Sequence, residues 1–182
     1  MGRKQDPNAY RKSKTEIAKP TAEREVVKDV ADLLEFAYML GFSRASEELG
    51  VMAEDLLDIL PKDYDDRMME SVYRDIAGKN FIDRVTEYAE MGNPADILRV
   101  LETDGNRVYN AGGLLGARGK ASYKTWLTQL DDRVRETHDY LEAVTVPIDE
   151  DFYTFDGDHA PMPGMFENVA NNANCRCTLL FS

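Results

Sequence analysis

The sequence predicts an α+β protein, with a mainly helical N-terminal half followed by a small α+β domain that carries a short antiparallel sheet. Three observations lead there. In the first half, apolar residues recur at gaps of three and four, the period of a helix. Beyond Tyr123 that period is lost, and Val144, Val146 and Ile148 alternate as strand residues do. Turn chemistry then breaks the second half into short pieces, most clearly in D-G-D-H-A-P-M-P-G, Asp156 to Gly164.

Each element has its own reason. Pro20 closes a polar, basic N-terminal stretch. From Glu23 on, Val26, Val30, Leu33, Ala37 and Leu40 share one helix face, and Gly41 is the expected stop. A second helix is expected from Ser43 to Leu49, punctuated by Gly50, and a third from Met52 to Leu60, ended by Pro61. Asp63 or Asp65 caps a further helix through Ile76, and Lys79 to Met91 forms the next, closed by Gly92. Asn93-Pro94 is a start signal, with asparagine as N-cap and proline at the first helical position. That helix carries Ile97, Val100 and Leu101 and continues past Gly105 until Gly112-Gly113 and Gly116 interrupt or end it. Tyr123, Trp126 and Leu127 read as a short strand or the start of a turn. Asp131 caps a helix over Asp132–Leu141, Val144–Ile148 is a strand, and Arg176–Phe181 is the closing strand.

Composition narrows the function classes. Of 182 residues, 31% are charged and 43% hydrophobic, the balance of a soluble folded chain. No apolar run approaches the ~20 residues that cross a bilayer, so no membrane contact is expected. The N-terminus lacks the apolar core of a secretory signal, and the chain is expected to stay in the cytoplasm where it is made. The net charge of −12 is uneven: residues 1–20 hold six basic and two acidic groups, which leaves −16 on the other 162. So acidic a body repels phosphate backbones, and any contact with DNA is expected through a flexible basic arm, residues 1–21. S-R-A-S-E-E-L-G-V-M-A-E-D-L-L-D-I-L, residues 43–60, imitates a helix-turn-helix. Its second helix would present Glu54, Asp55 and Asp58 to the bases, so an ordinary antiparallel helix pair is the expectation. G-G-L-L-G lacks the lysine-serine end of a phosphate-binding loop.

The two cysteines, Cys175 and Cys177, share one tripeptide. In a strand their Cα atoms would sit ~6.6 Å apart, near the outer limit for a disulfide, and a reducing cytoplasm keeps thiols free. Two readings stay open. Both are small buried residues, or both face one metal ion whose two further ligands would come from His138 and His159, the only histidines, as a structural zinc site. Cys175 with His138 also has the composition of a thiol nucleophile and base. Asp131, Asp132, Glu136 and His138 have that of a nuclease cluster. A helix start rich in aspartate, followed by an Arg-Glu ladder, explains the latter without chemistry.

Taken in order, L-E-T-D-G-N-R-V-Y-N, Y-K-T-W-L-T-Q-L-D-D-R-V-R-E-T-H-D-Y-L, V-P-I-D-E-D-F, a Pro/Gly loop and N-C-R-C-T-L resemble the C-terminal domain of the phage Mu protein F-like family. These are minor head or head-morphogenesis proteins of tailed bacteriophages. The resemblance covers Ile97 to Phe181 and suggests three regions: the arm 1–21, a helical region 22–96 and the family domain 97–182. It marks Trp126, Asp132, Arg133, Arg135, His138, Asn174, Cys175, Arg176 and Cys177 as the domain's structural motif. Trp126 is expected to anchor the core, Asp132 to pair with Arg133 or Arg135, and Asn174 to satisfy turn backbone groups. Some members carry a cysteine pair where this chain has Arg135 and His138, so a four-cysteine zinc site is not available and any metal must use His138. The family's usual glycine is Ala143 here, which puts a tight turn in question.

The resemblance implies a structural role without catalytic residues: head assembly, association with the portal or major capsid protein, or DNA packaging and delivery. Its place would be the virion head, reached from the host cytoplasm. Related domains occur fused to toxins, and with Ser182 directly after the domain no such fusion is expected. The rivals are a metal-dependent hydrolase or nuclease using His138, Asp132 and the Cys175/Cys177 pair, and a DNA-binding regulator using residues 43–60.

Overall fold

A computed structural model describes residues 22–51, 75 and 78–182, with side chains from Lys28 onward. The expected basic arm, the helices expected over 52–60 and up to Ile76, and most of the second half of the helix-turn-helix-like stretch lie outside the described residues. Within them the order is α1 (Ala22–Glu48), α2 (Phe81–Glu90), α3 (Pro94–Ala117), β1 (Tyr123–Leu127) and α4 (Glu136–Asp139). β2 (Thr145–Pro147), β3 (Phe152–Tyr153), β4 (His159–Ala160), α5 (Val169–Asn172) and β5 (Thr178–Phe181) follow. This is the expected α+β arrangement, helices first and a small antiparallel sheet after. No helix among the described residues is long and apolar enough to cross a membrane.

The long helices depart from expectation at their glycines. Gly41 does not stop α1, which runs unbroken for 27 residues, and Gly112, Gly113 and Gly116 all lie inside α3. The reason is tertiary. A Cβ on Gly41 would meet the Tyr109 carbonyl oxygen at 1.9 Å, and one on Gly112 would meet that of Tyr38 at 2.0 Å. The two helices therefore cross backbone to backbone, and the packing gained there outweighs the helix-weakening effect of each glycine. The crossing also selects which face of α1 is buried. Val30, Leu34, Tyr38, Phe42 and Ala45 face inward, whereas Leu33 and Leu40, expected on the buried face, remain 50% and 47% exposed.

The shorter elements follow their sequence signals more closely. The Asn80 side chain accepts from Asp83 N–H at 2.9 Å while Asp83 accepts from Asn80 N–H at 3.3 Å, a capping box that starts α2. The Asn93 side chain caps α3, with Pro94 in its first turn. Buried Asp104 of α3 receives Arg84 from α2 at 2.9 Å and Arg107 from its own next turn at 2.7 Å. That closes the helical layer with a paired charge rather than an apolar contact.

β1 is the centre of a three-stranded antiparallel sheet ordered β2-β1-β5, with Trp126 opposite Leu179 and Lys124 opposite Phe181. β3 and β4 pair separately, Phe152 opposite Ala160. Trp126 is fully buried, 5.1 Å from the ring of Phe152 and 5.6 Å from that of Phe166. One cluster of buried apolar side chains extends from Val30 on α1 to Phe181 on β5, so sheet and helices share a core. Lys124 points inward beside Trp126. Its ammonium donates to the Pro161 carbonyl at 2.8 Å, and burial pushes its pKa down.

Two substitutions separate the roles of the α3 glycines. Gly112→Ala forces the helices apart and is expected to destabilise the fold by about 3 kcal/mol. Gly105→Ala, where an added Cβ meets nothing within 4 Å, is expected to stabilise by about 0.5–1 kcal/mol. Urea unfolding followed by circular dichroism checks both.

Candidate metal centre

The residues that carry this site come from three places. His138 sits on the single turn of α4. Cys175 and Cys177 lie in the stretch just before β5, the closing strand expected from Arg176 beginning only at Thr178. Trp126 of β1 forms the wall. The expected helix over Asp132–Leu141 shrinks to four residues, because Asp131 and Arg133 are drawn into a turn. The Asp131 carboxylate accepts from Arg133 N–H at 3.2 Å and binds the Arg176 guanidinium in two bonds of 2.6 and 2.8 Å. That exposed pair replaces the expected bond between Asp132 and Arg133 or Arg135. Arg176 and Arg133 hold the Asp131 carboxyl below its ordinary range, the Arg176 hydrogen bond contributing most.

Arg135 has a different task. Its guanidinium donates to the carbonyls of Ala170 and Ala173, the end of α5. A neighbouring bond, Thr137 hydroxyl to Asn171 at 2.9 Å, joins the same two turns. Asn172 meanwhile grips the backbone of Phe166, accepting from its N–H at 2.9 Å and donating to its carbonyl at 2.7 Å. Asp158 gathers the loop by accepting from the backbone of Glu167 and Asn168 and from the Asn171 amide. Side chains thus supply what so small a sheet does not, and α4 is fixed against the segment that leads to the cysteines.

The cysteine stretch is held from the other side by α3. Asn106 and Asn110 both donate to the Cys177 carbonyl at 3.0 Å, and Thr103 accepts from Asn174 N–H at 3.1 Å. Asn174 adopts a left-handed backbone with φ 53°, a conformation asparagine tolerates. Thr103, Asn106 and Asn110 were missed as site residues in the sequence reading. Their signal was their place in L-E-T-D-G-N-R-V-Y-N, at i, i+3 and i+7 on one helical face.

What results is a buried group of three donors. His138 Nδ1 lies 3.7 Å from Cys175 Sγ and 3.4 Å from Cys177 Sγ, and all three donor atoms fall within 4.8 Å of one another. The imidazole meets the Trp126 ring edge-on at 5.3 Å and leans on Phe166 at 5.5 Å. Both cysteines are unbridged and buried. Hydrogen bonds from Cys177 and His138 hold the Cys175 thiol below its ordinary value, against the opposing effect of burial. Cys177 is pushed up by the same hydrogen bond, by burial and by the charge on Cys175. The thiols therefore lose their protons as a coupled pair, the second far less readily than the first.

Other candidates are not brought here. Among the described residues, no Asp or Glu joins the group, and Asp132 is exposed, so the triad of the hydrolase reading is not assembled. His159 lies elsewhere, 2.7 Å from Asp151 and stacked on Tyr153. The tight turn in question is present. Ala143 holds it with φ 58°, and its N–H donates to the Trp126 carbonyl at 2.9 Å.

A helical layer bearing a small sheet, closed through a C-x-C stretch docked on asparagines of the long helix, defines a class of domain. The chain belongs to the family described as Phage Mu protein F like protein, which it matches over residues 62–180. It is 32% identical over 83 residues to Minor head protein GP7 of Bacillus phage SPP1, a match covering 43% of this chain and 27% of that protein. It is 40% identical over 57 residues to the NAD(+)--arginine ADP-ribosyltransferase EFV of Enterococcus faecalis, covering 31% of this chain and 12% of that one. The chain thus spans about a quarter or less of the length of these curated relatives. No solved structure matches it.

Two predictions follow from the geometry around α4. Ala143→Gly removes left-handed strain and is expected to stabilise the fold by about 0.5–1 kcal/mol, read as a higher melting temperature. Arg135→Met leaves the Ala170 and Ala173 carbonyls to water in place of their donor and is expected to destabilise by about 0.5–1.5 kcal/mol. Hydrogen exchange should quicken first at Ala173, whose N–H bonds Val169 within α5.

Proposed function

We propose that this chain is a minor head protein of a tailed phage or prophage, with a structural role in head assembly and a place in the virion head. The observation that carries this reading is the likeness to Minor head protein GP7, within a family match that reaches from residue 62 into the last strand, to residue 180. The finer reading is association with the portal or major capsid protein, with DNA touched only through the basic arm. Two physical features support a structural role. The histidine and both thiols are buried among aromatic rings, out of reach of a substrate. The net charge of −12 opposes general binding to phosphate backbones. The likeness to an ADP-ribosyltransferase covers 12% of that protein, and its activity is not carried over to this chain.

The test is mass spectrometry of particles purified after induction of the source strain, comparing empty proheads with DNA-filled heads. The protein is expected at low copy in both. Its absence from both would overturn the reading. Removing residues 1–20 is expected to lower incorporation; unchanged incorporation would eliminate the arm as a docking element.

A further inference from the structure

The cluster of His138, Cys175 and Cys177 poses a problem of valence. Imidazole Nδ1 offers a single lone pair, yet two buried thiols converge on it at 3.4 and 3.7 Å. Only one S–H can be satisfied there, and the other is left to a sulfur, a weak acceptor. A cation between the three atoms removes the conflict, because each donor then directs a lone pair at it. The spacing agrees. Zinc bonds of ~2.3 Å to sulfur and ~2.0–2.1 Å to nitrogen, set at tetrahedral angles, place neighbouring donors ~3.5–3.8 Å apart.

We propose that Cys175 Sγ, Cys177 Sγ and His138 Nδ1 bind a zinc ion, a structural centre that ties α4 to the segment entering β5. Charge and burial favour this cation. Zinc displaces both thiol protons to solvent, the neutral imidazole keeps its proton on Nε2, and the two thiolates cancel the ion's charge. The resulting centre is neutral, as suits a site walled by Trp126 and Phe166. Soft thiolates select zinc over the hard cations that prefer oxygen. The surroundings are prepared for it: Arg135 fixes the turn that bears His138, and Asn106 and Asn110 fix the Cys177 carbonyl. Three donors leave a tetrahedral position without a protein side chain among the described residues. The inference stands on this geometry alone and holds or fails independently of the head-protein reading.

The experiment uses the full chain, purified without chelator and analysed by inductively coupled plasma mass spectrometry. Zinc equimolar with protein is expected, with both thiols unreactive toward Ellman's reagent until a chelator is added. Cobalt(II) added to the stripped protein should give thiolate-to-metal charge-transfer absorption and strong visible bands of a tetrahedral site. His138→Gln and Cys177→Ser should each lose the metal. Should either variant fail to fold, the cobalt spectrum of the unmodified chain still decides. Zinc at background, no cobalt bands and a melting temperature indifferent to zinc would overturn the proposal.

Discussion

The fold depends first on the backbone contact between α1 and α3. At 1.9 and 2.0 Å from facing carbonyl oxygens there is no room for a β-carbon at Gly41 or Gly112. This contact fixes the rotation and height of α3, and everything downstream is mounted on that helix. One of its faces presents Asp104 to Arg84. Another presents Thr103, Asn106 and Asn110 to the cysteine stretch. Near its C-terminus, Gly113 admits the Phe181 ring of β5, which a Cβ there would meet at 3.2 Å. The sheet therefore inherits its position from helix packing and not from its own strands, which run only two to five residues.

That dependence explains what was legible in the sequence. Signals that act over a few residues were read correctly: Asn93-Pro94 starts α3, the alternation around Val146 marks a strand, and the residues up to Phe181 close the sheet. Gly41 and Gly112 misled because a glycine's local effect, to weaken a helix, is the opposite of its tertiary effect here. The inward face of α1 was misassigned for the same reason. Two interlocking periods fit the apolar residues, and only the crossing partner decides between Leu33 and Leu34.

The site was legible as a set of residues and not as a set of bonds. His138, Cys175 and Cys177 were singled out together, but nothing along the chain favoured His138 over His159 except family pattern. What decides is the turn at Asp131, which shortens the expected helix and swings His138 under Trp126. Arg135 and Arg176 were both placed in the domain's structural motif, and they do unlike things. Arg176 pairs with an exposed carboxylate, an interaction salt screens readily. Arg135 fastens two backbone carbonyls that have no other side-chain partner of this kind.

The polar groups of the C-terminal part tie its loops to one another. Loops that flank catalytic sites are commonly among the less stable parts of a fold. Here the long connections around α4 and α5 are tied by Asp158, Asn171, Asn172 and Arg135, each holding more than one group. Together with Asn106 and Asn110 of α3, which hold the Cys177 carbonyl, these ties surround the buried His138 cluster. Such a construction encloses His138, Cys175 and Cys177, and it gives a small domain a rigidity that its short sheet cannot provide. A protein whose task is to sit at a fixed place in a larger assembly needs that rigidity most, because a mobile docking surface loses binding energy to the ordering of its own chain.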